Sequence, residues 1–230
     1  MTEEQDAGVF IQALALGIDP GWRRREAAAR AADHASFAAA EAGAINAGVA
    51  SELYSSIGLE PGADILLWRW ANTIDALERA AARTLRSGLG AWCRVRESLI
   101  ARTAPSQYAR KPSGQETGLL SGERSRYLIV YPFTKATEWY LTTREERQAI
   151  MNEHMKIGRR YPAVRQALGY SFGLDDQDFV VAYETDDLAA FGDLVRELRG
   201  SESRRATVRD TPLLLGIRRT PTELGELLGV

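Results

Sequence analysis

Among 230 residues there are two histidines, His34 and His154, and one cysteine, Cys93. Counting removes a three-histidine zinc site and any multi-thiolate cluster, and leaves chemistry that needs a single imidazole. In Ile150-Met151-Asn152-Glu153-His154-Met155-Lys156-Ile157, helical spacing puts Ile150, His154 and Ile157 on one stripe, so the imidazole points inward. An inward imidazole is either a hydrogen-bonded core residue or an iron ligand, and spacing leaves both open. His34, in Asp33-His34-Ala35, sits among alanines and polar residues and reads as a surface or packing residue.

Aromatic residues gather before the His154 helix. Tyr131 and Phe133 fall on one face of a strand, and Trp139 and Tyr140 lead towards the helix; they form a core cluster or line a site. There is no glycine-rich phosphate loop, nucleophile elbow or Cys-x-x-Cys pair, which removes the common nucleotide, hydrolase and thiol-redox readings. With 29 basic and 31 acidic residues the formal charge is -2, so there is no net pull towards nucleic acid or an anionic bilayer. The acidic start Met1-Thr2-Glu3-Glu4-Gln5-Asp6 lacks a secretory signal pattern, and a lone cysteine suits a reducing compartment. The expectation is a cytoplasmic protein without a membrane span.

Composition, 45% hydrophobic and 26% charged, is that of an ordinary globular chain. Hydrophobic periods predict a strand at about 9–16, a helix at 23–48, strands at 53–59 and 63–70, a helix at 73–86 capped by Asn72, and a strand at 92–102. A proline- and glycine-bearing loop follows over 103–122. The pattern then restarts: strand 127–133, helix 143–158, strands 168–174 and 178–184, helix 187–199, strand 205–216, and a closing helix 221–228. Residues repeat as well, since Ser56-Ile57-Gly58-Leu59 before Asp64-Ile65-Leu66-Leu67 parallels Ser171-Phe172-Gly173-Leu174 before Asp178-Phe179-Val180-Val181. The predicted class is α+β: tandem duplicated ferredoxin-like units, 1–110 and 124–230 joined by a linker loop 111–123, forming a dimeric α+β barrel-like subunit.

Tyr131-Pro132-Phe133-Thr134-Lys135, Trp139-Tyr140-Leu141, Glu145-Glu146-Arg147, Glu153-His154, Tyr170-Ser171-Phe172-Gly173-Leu174-Asp175-Asp176 and Phe179-Val180-Val181 together resemble the chlorite dismutase family. The first half agrees less closely, through Asp19-Pro20-Gly21-Trp22-Arg23 and Pro105-Ser106-Gln107-Tyr108. The resemblance implies a haem protein, often a pentameric ring, with His154 as the axial metal ligand and Glu202 as the acidic partner of its other ring nitrogen.

Chlorite-decomposing members carry an arginine seven residues before the glycine of the Gly-Leu-Asp segment, and here that position is Gln166, beside Arg165. On an extended segment one residue changes the face. Glutamine resembles the coproheme decarboxylases, whose tyrosine and lysine are matched by Tyr131 and Lys135. This implies that iron coproporphyrin is both substrate and redox centre: with hydrogen peroxide, Tyr131 removes hydrogen from a propionate, carbon dioxide leaves, and two rounds give haem b. Lys135, Tyr108 and Arg205 are the implied carboxylate partners, with Thr211, next to Pro212, facing a propionate. A haem peroxidase, a chlorite-decomposing enzyme and a haem-free structural or binding ring are the alternatives.

Overall fold

The computed structural model describes residues 8–108, 119, 120 and 122–230. In chain order its elements are β1 (Phe10–Ile18), α1 (Ala27–Asn46), β2 (Ala50–Glu60), β3 (Ala63–Ala71), α2 (Ile74–Arg86), β4 (Cys93–Thr103), β5 (Tyr127–Lys135), α3 (Thr137–Leu141), α4 (Arg144–Gly158), β6 (Arg165–Tyr170), β7 (Phe179–Thr185), α5 (Leu188–Arg199), α6 (Glu202–Arg205), β8 (Thr207–Arg209), β9 (Leu214–Arg218) and α7 (Pro221–Leu228). The class is α+β. Two compact units divide the chain: one runs to Arg102 and takes back Leu214–Val230, the other is Thr103–Leu213. Most of the expected linker, 111–123, lies outside the described residues.

In the first unit the antiparallel strands lie in the order β4-β1-β3-β2-β9. Alternation puts Leu14 and Leu16 opposite Leu67 and Ile65, and this face is covered by Trp22, Phe37, Leu89 and Leu224. His34 packs here too: a Cβ on Gly225 of α7 would stand 3.0 Å from its Cε1. One charged group enters the interior. Arg69 of β3, fully buried, donates from Nη2 to Glu41 Oε1 of α1 and Thr84 Oγ1 of α2, both at 2.6 Å, and from Nε to Ser51 Oγ at 3.2 Å.

The second unit has the strand order β6-β7-β5-β8. Position for position this is the β2-β3-β1-β4 order of the first. Two local features recur at matched places. Ile18 N–H donates to Asp64 Oδ2 and Lys135 N–H to Asp178 Oδ2, each at 2.7 Å. Gly58 and Gly173 both have φ +71°, a left-handed conformation that suits glycine.

Several expected boundaries move. Thr73, not Asn72, caps α2, its hydroxyl accepting from Ala76 N–H. The strand expected at 168–174 starts at Arg165 and stops at Tyr170, because Ser171 O accepts from both Leu174 and Asp175 N–H in a turn through Gly173. The strand expected at 205–216 is three pieces: the last turn of α6, the short β8, and β9, which belongs to the first unit. Pro212 between β8 and β9 has no N–H to give to a ladder. Among the described residues no helix is long and apolar enough to cross a membrane.

Candidate functional site

Cross-strand partners in an antiparallel sheet share a face. Gln166 and Ile129 both pair with Tyr183, Tyr131 pairs with Val181, and Phe133 with Phe179, so these residues line one face of the second sheet. Phe191 of α5 packs on Tyr183 with ring centroids 5.2 Å apart, which identifies that face as the helix-covered one. Arg165 pairs with Glu184 on the reverse face. There its Nη2 donates to Glu184 Oε2 and Ser125 Oγ, both at 3.0 Å, and Glu184 is fully buried.

Helix α4 carries His154 on the helix side. A capping box, in which Thr143 and Glu146 exchange hydrogen bonds, starts that helix where the sequence places it. Nδ1 of His154 lies 3.1 Å from Ser203 Oγ, and among the described residues Nε2 has no hydrogen-bond partner. Burial first, then the positive Lys135, pull the imidazole down to about 4, against an opposing pull from Glu153. It is therefore neutral near pH 7, the form that can offer a lone pair.

Lys135, at the end of β5, points its Nζ over the rings of Trp139 (4.8 Å) and Phe133 (5.8 Å) and donates to Ser203 O and Thr207 Oγ1, each at 3.0 Å. Burial, and repulsion from Arg204, bring this ammonium down to about 8, with Asp178 opposing. Tyr131 stacks on Tyr183 with centroids 5.9 Å apart. Burial and the neighbouring Tyr183 phenol hold the Tyr131 hydroxyl well above its ordinary range. Phe179 gathers the rings of Phe133, Phe172 and Tyr170 at 4.6, 5.3 and 5.6 Å, and Phe172 stays 52% exposed. The result is a partly exposed aromatic cluster on the side of the sheet that also carries the neutral imidazole.

Of the sequence-predicted site residues, the unit brings His154, Lys135, Tyr131 and Gln166 to one side of the sheet. Tyr108 is tied to α4, its carbonyl accepting from Gln148 Nε2 at 3.1 Å. Glu202 is not the partner of His154: its carboxylate pairs with Arg205 at 3.3 Å, both side chains standing in solvent. At the first turn of α6 successive residues point different ways, and it is Ser203 that turns inward, 6% exposed. Arg205, 82% exposed in that ion pair, and the exposed Thr211 are likewise not gathered with the buried residues. Sequence reasoning missed Ser203 and Ser201 because serines two apart in a polar stretch carry no distinguishing pattern.

Among the described residues no three His, Cys, Asp or Glu side chains form a metal-binding group. A lone histidine suffices where a porphyrin supplies the other nitrogens, and aromatic residues on the same side of the sheet fit such a ligand.

The family model described as Chlorite dismutase matches residues 25–219. Coproheme decarboxylase from Mycolicibacterium smegmatis is 33% identical over 168 residues, 72% of this chain and 71% of that protein. Chlorite dismutase from Ideonella dechloratans is 28% identical over 173 residues, 72% of this chain and 61% of that protein. Among solved structures, chlorite dismutase from Candidatus Nitrospira defluvii in complex with imidazole superposes with a TM-score of 0.87 at 27% identity, over 98% of this chain and 97% of that one. A mutant of the same enzyme gives the same score, identity and coverage. With a match that takes in His154 and runs through strands of both units, the chain belongs to the chlorite dismutase family.

Proposed function

We propose that this protein is a coproheme decarboxylase, which binds iron coproporphyrin through His154 and converts two of its propionates to vinyl groups with hydrogen peroxide, giving haem b. The observation that carries this reading is the side-chain parity of β6: Gln166 shares the helix-side face with Tyr131, while Arg165 is held by Glu184 on the reverse. The likeness to the mycobacterial coproheme decarboxylase supports it.

Each round balances as one propionate, one peroxide and one proton giving a vinyl group, carbon dioxide and two waters. The bound iron porphyrin supplies the reduction of peroxide. The protein's residues do the rest. His154 offers Nε2 to the iron. Tyr131, sheltered from water, keeps its phenolic hydrogen until oxidised and then takes hydrogen from the propionate carbon. Lys135 uses two N–H groups on Ser203 O and Thr207 Oγ1, which leaves a third for a carboxylate. Gln166 offers an amide without the fixed charge of an arginine.

The same reading extends to a duplicated ferredoxin-like subunit of the dimeric α+β barrel type, supported by the matched strand orders, and to a cytoplasmic homopentamer. A haem peroxidase or chlorite-decomposing activity is the second reading, supported by the likeness to chlorite dismutase structures. Purified protein mixed with coproheme, haem b and chlorite separates the readings. Loss of two carbon dioxide units from coproheme on adding peroxide is the expected result. Oxygen release from chlorite would favour the second reading, and binding of neither pigment a haem-free role.

A further inference from the structure

The hydroxyls behind His154 form a line with one possible direction. Ser201 Oγ lies 2.7 Å from Leu198 O, at the C-terminal end of α5. A carbonyl can only accept, so the single Ser201 hydroxyl hydrogen goes there. Ser201 Oγ is also 2.9 Å from Ser203 Oγ, and with its hydrogen used it must accept, so Ser203 donates. Ser203 Oγ is then left with lone pairs for His154 Nδ1 at 3.1 Å, and the hydrogen in that contact belongs to Nδ1. Both serines are buried, 5% and 6% exposed, which shields the chain from competing water. Ser201 is the N-cap of α6 yet makes no side-chain cap bond, its hydroxyl being committed to this line instead.

We infer that Ser201 and Ser203 are positioning residues that fix His154 as the Nδ1–H tautomer, so that Nε2 carries the lone pair before any ligand arrives. The chain His154 Nδ1–H to Ser203 Oγ–H to Ser201 Oγ–H to Leu198 O is a polarity relay anchored on a backbone carbonyl. Lys135 steadies it from the side by donating to the Ser203 carbonyl rather than to its hydroxyl. A serine partner also differs in kind from a carboxylate: it orients the ring without placing a negative charge behind it. This rests on the reading of His154 as the iron ligand for its use, but the tautomer itself is a property of the free protein.

The test uses the ligand-free protein labelled with nitrogen-15 in histidine, where only two imidazoles report and His34→Ala assigns them. Wild type is expected to show His154 with a protonated Nδ1 and a bare Nε2 near pH 7. Ser201→Ala, which touches nothing on the ring, frees the Ser203 hydroxyl to turn and donate, and should move His154 towards the Nε2–H form; Ser201→Thr should restore the wild-type pattern. Coproheme affinity should fall roughly three- to tenfold in Ser201→Ala, the cost of one lost orienting hydrogen bond. An Nε2–H tautomer in wild type, or an unchanged spectrum in a folded Ser201→Ala, would overturn the relay. Wild type with a bare Nε2 that binds no coproheme would instead uphold the relay and remove the haem reading.

Discussion

Arg165 and Gln166 are neighbours in the chain and belong to different environments: the arginine bonds a fully buried Glu184 at 3.0 Å, while the glutamine pairs with Tyr183 on the Tyr131 side of the sheet. Arg165→Ala should therefore act on stability. Glu184 keeps Arg124 at 3.6 Å but loses its closer partner, and the cost should be roughly 1–3 kcal/mol in urea unfolding. Gln166→Ala should leave stability within about 1 kcal/mol and slow propionate loss instead. If Arg165→Ala slowed turnover at unchanged stability while Gln166→Ala did not, the parity assignment would be wrong.

Lys135 gives a pH prediction. Its folded pKa, about 8, lies below the ordinary lysine value of 10.5, so the ammonium is intact below about 8 and lost as pH rises through that value. If it holds a propionate, coproheme affinity should be level from pH 6.5 to 7.5 and fall by roughly tenfold per unit above about 8. Lys135→Met should bind more weakly at pH 7 and lose the slope, and a propionate-esterified porphyrin should show no slope with wild type. A wild-type affinity that stays level to pH 10 would remove Lys135 from the carboxylate role.

The buried pair in the first unit makes a different kind of prediction. Arg69 and Glu41 lie at 2.6 Å with almost no solvent contact. Arg69→Met strands the Glu41 carboxylate and should cost about 3–5 kcal/mol. The double change Arg69→Met with Glu41→Leu removes both charges and should recover most of that loss, because the desolvation of two ions disappears with their attraction. Additive losses in the double-mutant cycle would show that the pair is not coupled.

The parts legible in the sequence were those with strong local rules. The restart of the pattern after the loop, the helix beginning at Thr143 and the Ser-x-Gly-Leu repeat all reappear, the last as paired glycines at φ +71°. His154 could be assigned an inward direction from helical spacing alone. The second ligand-side partner could not, because whether Glu202 or Ser203 turns inward is decided by the first turn of a four-residue helix, where no period has room to show. Nor could the fate of 205–216 be read: the run is apolar enough for one strand, but Pro212 breaks the ladder and sends β9 to the first unit.

Tyr131 offers the sharpest separation of packing from chemistry. Its ring stacks on Tyr183, and phenylalanine keeps that ring. Losing the hydroxyl should cost on the order of 1 kcal/mol or less, so Tyr131→Phe should fold and bind coproheme. Phenylalanine has no phenolic hydrogen and is far harder to oxidise, so peroxide should be consumed while pigment mass stays unchanged. The nearby Tyr183 tests whether position matters, because it is a buried phenol on the same face as Tyr131. Tyr183→Phe should remove the phenol that adds to burial in raising the Tyr131 hydroxyl, and should retain decarboxylation if hydrogen is taken by Tyr131 itself. Mass spectrometry of the pigment after single additions of peroxide reads both variants. Haem b formed by Tyr131→Phe at the wild-type rate would remove the tyrosine from the reaction, and product lost only in Tyr183→Phe would move its role across the stack.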